Sequence, residues 1–223
     1  MKILIVGDVY SKLGRISLEE NIKRIKQEEK INFIIVNGEN ISHGKGMNLN
    51  HYKWLMSLGV NVVTMGNHTW GKKEIFNFIE DERIVRPANY PEGVPGIGYR
   101  IKECAGKKIA IINLIGRVDI GVLSENPFLK ADKILKEIKQ KADIIIVDFH
   151  AEATAEKIAM GYYLDGIECK KCSDHCVSCF MDTGYCHICE EGYYMKKFKH
   201  IVSLSKILFP LFKTLIEVKA NCS

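Results

Sequence analysis

The chain contains short runs of mostly apolar residues that stop abruptly at polar residues, and this pattern limits the possible folds more than any other feature. The five clearest runs cover residues 3–6, 33–36, 60–65, 109–114 and 144–147. Strands that are apolar along their whole length fit a parallel sheet covered on both faces, and amphipathic segments lie between these runs. The pattern predicts an α/β fold with a mainly parallel sheet over residues 1–166.

The segments between the runs have the apolar spacing of helices. Leu18, Ile22 and Ile25 recur at helical intervals, and we predict further helices over residues 52–58, 72–79 and 131–141. After Gly166 this alternation ends. The sequence therefore predicts a domain boundary near residue 167.

Four of the predicted strands end in side chains that can hold a metal ion. These side chains are Asp8, Glu39 with Asn40, Asn67 with His68, and His150. Because the carboxyl ends of parallel strands share one edge of a sheet, we expect them to converge. Carboxylate and amide oxygens with imidazole nitrogen suit a divalent metal ion, and two such ions can clamp a phosphate.

The motifs at these strand ends also occur together, in the same order, in one known family. The sequence resembles the small bacterial calcineurin-like metallophosphoesterases, which hydrolyse 2′,3′-cyclic nucleotides and related phosphodiesters. The resemblance extends from residue 1 to about residue 166. It is carried by Gly7-Asp8-Val9, Asn37-Gly38-Glu39-Asn40, Thr64-Met65-Gly66-Asn67-His68-Thr69-Trp70, Arg86-Pro87-Ala88-Asn89-Tyr90-Pro91, Asn113-Leu114-Ile115-Gly116-Arg117 and Asp148-Phe149-His150-Ala151-Glu152-Ala153-Thr154.

The resemblance implies a layered calcineurin-like α/β fold, a hydrolase activity and a small phosphodiester or nucleotide substrate. It implies two divalent ions, iron or manganese, and a catalytic role for His68, which would either protonate the leaving oxygen or stabilise the transition state. Lys45 and Arg117 are candidates for holding phosphate on grounds of charge alone. The implied metal ligands are Asp8, Glu39 as the bridging carboxylate, Asn40, Asn67 and His150.

The sequence departs from this family after Gly166. The family continues with a Gly-Thr-His-Thr-His segment whose two histidines complete the metal shell, but here His175 and Val177 occupy the corresponding positions. The motif around His175 is absent, so its alignment with a ligand is read as a coincidence. We expect a C-terminally incomplete version of the fold and an incomplete second metal site.

The sequence predicts that residues 167–195 form a separate cysteine-rich segment. Six cysteines follow the spacing Cys169-x2-Cys172-x3-Cys176-x2-Cys179-x6-Cys186-x2-Cys189. The segment resembles one furin-like cysteine-rich repeat, which implies disulfides and an oxidising compartment. Zinc held by Cys-x2-Cys pairs with a nearby histidine is the alternative. Cys104 and Cys222 are expected to be free thiols.

Residues 196–223 form a basic, amphipathic tail in this reading. They contain six lysines and one glutamate, so their net charge of +5 equals that of the whole chain. Such a tail could contact nucleic acid or an anionic membrane surface, or remain solvated. Gly7-Asp8 ends the first apolar run too early for a signal peptide, and no run reaches membrane-spanning length. We expect a cytoplasmic protein, and a homo-oligomer is compatible with the sequence.

Two functions from different classes fit these features. The first is a metal-dependent phosphodiesterase, impaired by the missing histidine pair. The alternative is a non-catalytic binding or surface module, in which the cysteine-rich segment is the functional part of a degenerate phosphoesterase fold. A fusion or gene-model error near residue 167 would explain why the two halves indicate different compartments.

Overall fold

The structure, a computed structural model, describes residues 1–164 and four later strands that cover residues 176–180, 185–189, 201–203 and 214–217. Residues 1–164 contribute strands to two β-sheets that pack face to face, and helices cover the outer face of each sheet. The expected mixed α/β fold with parallel strands is confirmed.

The first sheet has the strand order β11-β1-β2-β3-β4. Neighbouring strands from β1 to β4 are parallel, whereas β11 is antiparallel to β1. Parallel pairing brings the carboxyl ends of the first three strands together at one edge. The strands are β1 (Lys2–Asp8), β2 (Phe33–Asn37), β3 (Val62–Thr64), β4 (Ile84–Val85) and β11 (Thr214–Glu217).

The second sheet has the strand order β10-β7-β6-β5, with β5 antiparallel to β6. Its strands are β5 (Tyr99–Cys104), β6 (Lys107–Ile115), β7 (Ile144–His150) and β10 (Ile201–Ser203). The tight turn between β5 and β6 uses Ala105 and Gly106, both with positive φ, as a two-residue hairpin loop requires. Strands β6 and β7 are parallel, and Ile115 lies opposite His150.

The helices are placed by recognisable start signals. Asn48 accepts a hydrogen bond from the His51 backbone N–H, and Asn126 caps the helix that begins at Pro127. The segment predicted as a helix over 72–79 is instead a short 3-10 helix. The elements are α1 (Ser11–Glu28), α2 (Leu49–Ser57), η1 (Lys73–Asn77), α3 (Pro127–Ile138) and α4 (Thr154–Leu164).

Successive side chains along each buried strand face opposite sides of its sheet, one toward the other sheet and the next toward the helices. Ile3 and Ile5 of β1 pack between the two sheets, against residues such as Ile111 of β6. Leu4 packs on the opposite face, with Leu18 of α1. Each sheet is therefore covered on both faces, as the apolar strands predict, with helices on one side and the other sheet on the second side. Truncating any of these buried chains to alanine costs about 2–5 kcal/mol.

The later strands include parts of both predicted C-terminal segments. Strands β8 (Cys176–Phe180) and β9 (Tyr185–Cys189) form an antiparallel pair in which Cys176 lies opposite Cys189. Strands β10 and β11 come from the segment predicted as a basic tail and pair with β7 and β1. Cys169, Cys172, His175 and Cys222 lie outside the described residues. The division at residues 167 and 196 stays a prediction.

Two further observations concern the described residues only. The thiol of Cys104 is free, as expected, and lies 3.5 Å from the carbonyl oxygen of Asn32. Each helix in these ranges is too short or too polar to cross a membrane.

Candidate metal centre

Four strands deliver polar side chains to one edge of the molecule. Asp8 is the last residue of β1, and Glu39 and Asn40 follow β2 directly. His68 lies in the turn after β3, and His150 ends β7 of the second sheet. Backbone hydrogen bonds tie these turns together, since Gly38 N–H donates to the Thr64 carbonyl at 3.0 Å. The parallel topology thus produces the convergence that the sequence predicts.

Glu39 lies at the centre of this group. Its side chain is 0% exposed, and its Oε2 accepts a hydrogen bond from the His68 backbone N–H at 3.1 Å. The second oxygen, Oε1, lies 2.7 Å from Nδ1 of His150 but makes no well-aligned hydrogen bond. A buried carboxylate oxygen without an aligned donor is costly. A positive charge at this position, on His150 or on a bound ion, would offset that cost.

Asn40 joins Asp8 to His68. Its Nδ2 donates to Oδ2 of Asp8 at 2.8 Å, and its Oδ1 lies 2.7 Å from Nδ1 of His68. Because the amide nitrogen is already the donor to a carboxylate, the amide oxygen must accept, and Nδ1 of His68 carries the hydrogen. This arrangement leaves Nε2 as the ring atom of His68 that can exchange a proton with a substrate.

The charges around Glu39 shift the pKa values of its neighbours. Burial raises the pKa of Asp8, and the charge of Glu39 adds to this effect while the hydrogen bond from Asn40 opposes it. Burial lowers the pKa of His150, but the contact with Glu39 and the charges of Glu39, Asp148 and Asp8 outweigh burial and raise it overall. Two carboxylates close together in a partly dry space favour a bound cation.

The turn after β3 needs a glycine beside Glu39. A Cβ on Gly66 would overlap the Glu39 carboxylate, so a larger residue could not sit there without a shift. The next residue, Asn67, is half-buried in this turn. The structure therefore places Asn67 beside His68 at the edge, while Asp8, Glu39, Asn40, His68 and His150 are linked by contacts or charge.

Two buried polar side chains, Asn37 and Asn113, form hydrogen bonds that connect the strands below the candidate metal centre. The Nδ2 of Asn37 lies 3.3 Å from Oδ2 of Asp148, which connects the first sheet with the second. Asn113 of β6 donates to the carbonyl oxygens of Met65 and Val85, at 2.5 and 3.0 Å. Sequence reasoning assigned these residues no role in the site. The sequence feature that could have indicated their role is the presence of polar residues within otherwise apolar strands.

Asn89 and Tyr90 fasten a loop to the same edge. Asn89 exchanges hydrogen bonds with the backbone of Ile115, donating to its carbonyl at 2.7 Å and accepting from its N–H at 2.9 Å. The Tyr90 hydroxyl donates to the carbonyl of Gly66 at 3.0 Å. Burial raises the pKa of Tyr90 to about 12, so this hydroxyl stays protonated at neutral pH. The loop thereby supports the turn that carries His68.

The donor set fits a divalent ion, although the side chains now contact one another. Within residues 1–164, no three carboxylate, thiol or imidazole side chains are arranged as a ready-made metal shell. Asp8 is held by Asn40 and Glu39 by His150, so these pairings would open to admit an ion. Carboxylate, amide oxygen and imidazole ligands suit ions such as manganese and iron. The meeting of two carboxylates, an amide oxygen and two imidazoles at one edge is the observation that carries this fit.

The fold is similar to that of a solved protein of distant sequence. A solved 5′-nucleotidase precursor from Thermus thermophilus superposes with a TM-score of 0.50 at 16% sequence identity. The match covers 74% of this chain and 39% of that protein. At this identity the similarity concerns the fold alone.

Residues 4–175 match the YmdB-like protein family, and the chain belongs to that family. It is 48% identical over 167 residues to a Bacillus subtilis (strain 168) protein named 2′,3′-cyclic-nucleotide 2′-phosphodiesterase, across 74% of this chain and 63% of the relative. A solved phosphatase from Mycoplasma pneumoniae superposes with a TM-score of 0.67 at 41% identity, across 74% of this chain and 60% of that one. The chain spans less than two thirds of these relatives.

The comparisons separate the two predicted resemblances. The likeness to cyclic-nucleotide phosphodiesterases is confirmed by the family and by the Bacillus relative. The furin-like resemblance of residues 169–195 receives no support from the comparisons. A disulfide framework of that type therefore has no argument beyond the cysteine spacing itself.

Proposed function

We propose that this chain is a metal-dependent phosphodiesterase that hydrolyses 2′,3′-cyclic nucleotides. The observation that carries the proposal is the fully buried carboxylate of Glu39, which lies at the centre of a group containing Asp8, Asn40, His68 and His150. The similarity to the Bacillus relative supplies the substrate class. The proposed enzymatic region is residues 1–166, as the sequence predicts.

The proposed ligands are Asp8, Glu39, Asn40, Asn67 and His150, with manganese or iron as the ions. Glu39 would contribute the bridging carboxylate in this proposal, and its two oxygens lie beside the His68 backbone N–H and the His150 ring. A divalent ion held there would offset the charge of the phosphate and make water a better nucleophile. The second ion site is incomplete in this proposal, because Val177 stands where the family has its second later histidine and the motif around His175 is absent.

His68 is proposed as the acid of the reaction. Its backbone N–H is held by Glu39 and its Nδ1 by Asn40, so both the position and the orientation of the ring are fixed. Cleavage of the bond between phosphorus and O2′ leaves an alkoxide that needs a proton. Nε2 is the ring atom of His68 that is free to donate this proton, and the product carries a 3′-phosphate.

The test is hydrolysis of 2′,3′-cyclic AMP by the purified 223-residue chain with added manganese. The proposal predicts turnover that disappears with a chelator and returns with manganese. The alternative, a non-catalytic module, predicts no turnover under any metal condition. A rate that the chelator leaves unchanged would contradict the assignment of the metal centre.

A further inference from the structure

A second feature adjoins the turn that carries His68. Three aromatic rings form a ladder between the protein surface and this turn. Phe76, which is 54% exposed, stacks almost parallel on Trp70, with ring centroids 5.2 Å apart and planes inclined by 13°. Trp70 in turn contacts Tyr90, with centroids 5.9 Å apart. Tyr90 is hydrogen-bonded to Gly66, two residues before His68.

Lysines accompany this ladder. Loop 43–46 packs closely against Gly71. A Cβ added to Gly71 would lie only 2.9 Å from Cγ of Lys45. Lys45 is exposed, Lys72 and Lys73 follow the turn directly, and Lys73 is also exposed. Within residues 1–164, none of these three lysines is paired with a carboxylate.

The single acidic residue of this stretch is engaged elsewhere. Glu74 accepts a hydrogen bond from the Leu49 backbone N–H at 3.2 Å, at the first residue of α2. Its carboxylate therefore stabilises a helix start, where negative charge is favoured. The surface formed by Lys45, Trp70, Lys72, Lys73 and Phe76, named here the aromatic–lysine track, combines the exposed ring of Phe76, backed by Trp70, with unpaired positive charges.

This combination is how proteins hold single-stranded nucleic acid. Bases stack on aromatic faces whatever their identity, and lysines contact the phosphates between them. A mononucleotide has one base and no phosphate beyond the one being cleaved, so it cannot use the whole track. An exposed ring that extends a stack outward from a phosphodiesterase site is explained by a substrate with further nucleotides.

We propose that the preferred substrate is single-stranded RNA that ends in a 2′,3′-cyclic phosphate. This inference rests on the proposed function, since the cyclic end must reach the same metal centre. Water adds to phosphorus, the bond from phosphorus to O2′ breaks, and O2′ takes a proton. The product is RNA with a 3′-phosphate, and the preceding nucleotides remain on the aromatic–lysine track.

The test compares a pentaribonucleotide ending in a 2′,3′-cyclic phosphate with 2′,3′-cyclic AMP, in the same buffer with manganese. We expect kcat/KM to be about tenfold higher for the pentanucleotide, because stacked bases add binding energy. Phe76→Ala should bring the ratio of the two kcat/KM values close to one. Tyr162→Ala is the matched control, since this ring is 39% exposed on α4 and outside the track. It should leave the ratio unchanged.

Lys45→Ala tests the charges separately. Affinity for the RNA should depend less steeply on salt in this variant, because each lost phosphate contact lowers the slope by about 0.7 for a single strand. A wild-type ratio near one, or a ratio that neither Phe76→Ala nor Lys45→Ala changes, would overturn the inference while leaving the proposed function intact.

If neither substrate is hydrolysed, the proposed function fails and RNA is not a substrate, and a binding measurement then tests whether the track holds RNA at all. Fluorescence anisotropy of the labelled pentanucleotide should show binding that Phe76→Ala weakens about fivefold or more and Tyr162→Ala does not. Absence of binding, or equal binding by both variants, would show that the track does not hold RNA.

Discussion

The edges of the two sheets differ in what they contribute to the candidate metal centre. The first sheet supplies Asp8, Glu39, Asn40 and His68, which are joined by hydrogen bonds of 2.7–3.1 Å. In the described residues, the second sheet supplies His150 as its one proposed ligand. Asn113 and Asp148, the other polar side chains near this edge of the second sheet, form hydrogen bonds with residues of the first sheet and its turns. The proposed chemistry therefore depends mainly on the first 68 residues, and the second sheet mainly supports them.

The strongest test of this difference is Glu39→Gln. We expect hydrolysis of 2′,3′-cyclic AMP to fall to background and bound manganese to be lost, because divalent ions are held largely by carboxylate charge. Glu82→Gln is the control, since this surface carboxylate is 78% exposed and paired with Lys102. Normal turnover by Glu39→Gln would remove Glu39 from the centre.

His68→Ala separates catalysis from metal binding. We expect kcat to fall by about 10²–10⁴-fold, the usual contribution of a positioned acid or base. Metal content should stay near that of the parent, because the ring contacts Asn40 rather than either carboxylate. Equal metal loss in His68→Ala and Glu39→Gln would instead make His68 a ligand or a support.

Gly66→Ala tests how closely the turn packs on Glu39. The added Cβ must displace the carboxylate, and misplacing a catalytic group by about 1 Å can cost about 10²-fold in rate. Gly7→Ala is the matched control, because a Cβ there meets no atom within 4 Å although it adjoins Asp8. Equal kcat/KM values for the two variants would show that the turn adjusts freely.

Asn113→Leu should have the smallest effect on activity and act mainly on stability. Loss of its hydrogen bonds to Met65 and Val85 should lower the free energy of unfolding by about 1–3 kcal/mol, with only a few-fold change in kcat. Urea unfolding measures the first quantity. Asn21→Ala, which removes an amide bonded to Ser17 on a helix surface, should cost less. If Asn113→Leu lowered activity more than Gly66→Ala does, the second sheet would contribute directly to catalysis.

The strands and the convergence of their polar ends were predictable from the sequence because both follow local rules. A buried strand is apolar throughout, and parallel strands end at one edge. The stacking of two sheets was not predictable in this way, since an apolar strand does not reveal what covers each face. The contacts of Asn113 and Tyr90 were also missed, because they join residues 48 and 24 positions apart in the chain.

The short 3-10 helix over Lys73–Asn77 shows another limit. The buried Ile75 and Phe78 gave this stretch the apolar spacing that predicted a longer helix. In the structure, Phe78 N–H bonds to Ile75 and Ile75 N–H to Lys72, each three residues back. Spacing of three suits either helix type, so the apolar pattern alone does not distinguish them.

We propose that the first sheet builds most of one metal centre and that the second ion lacks part of its shell. Elemental analysis of the purified 223-residue chain, dialysed after manganese loading, measures this difference. We expect about one tightly held ion per chain, with Glu39→Gln holding almost none. Two tightly held ions per chain would show that the second shell is complete and would make His175 a serious ligand candidate.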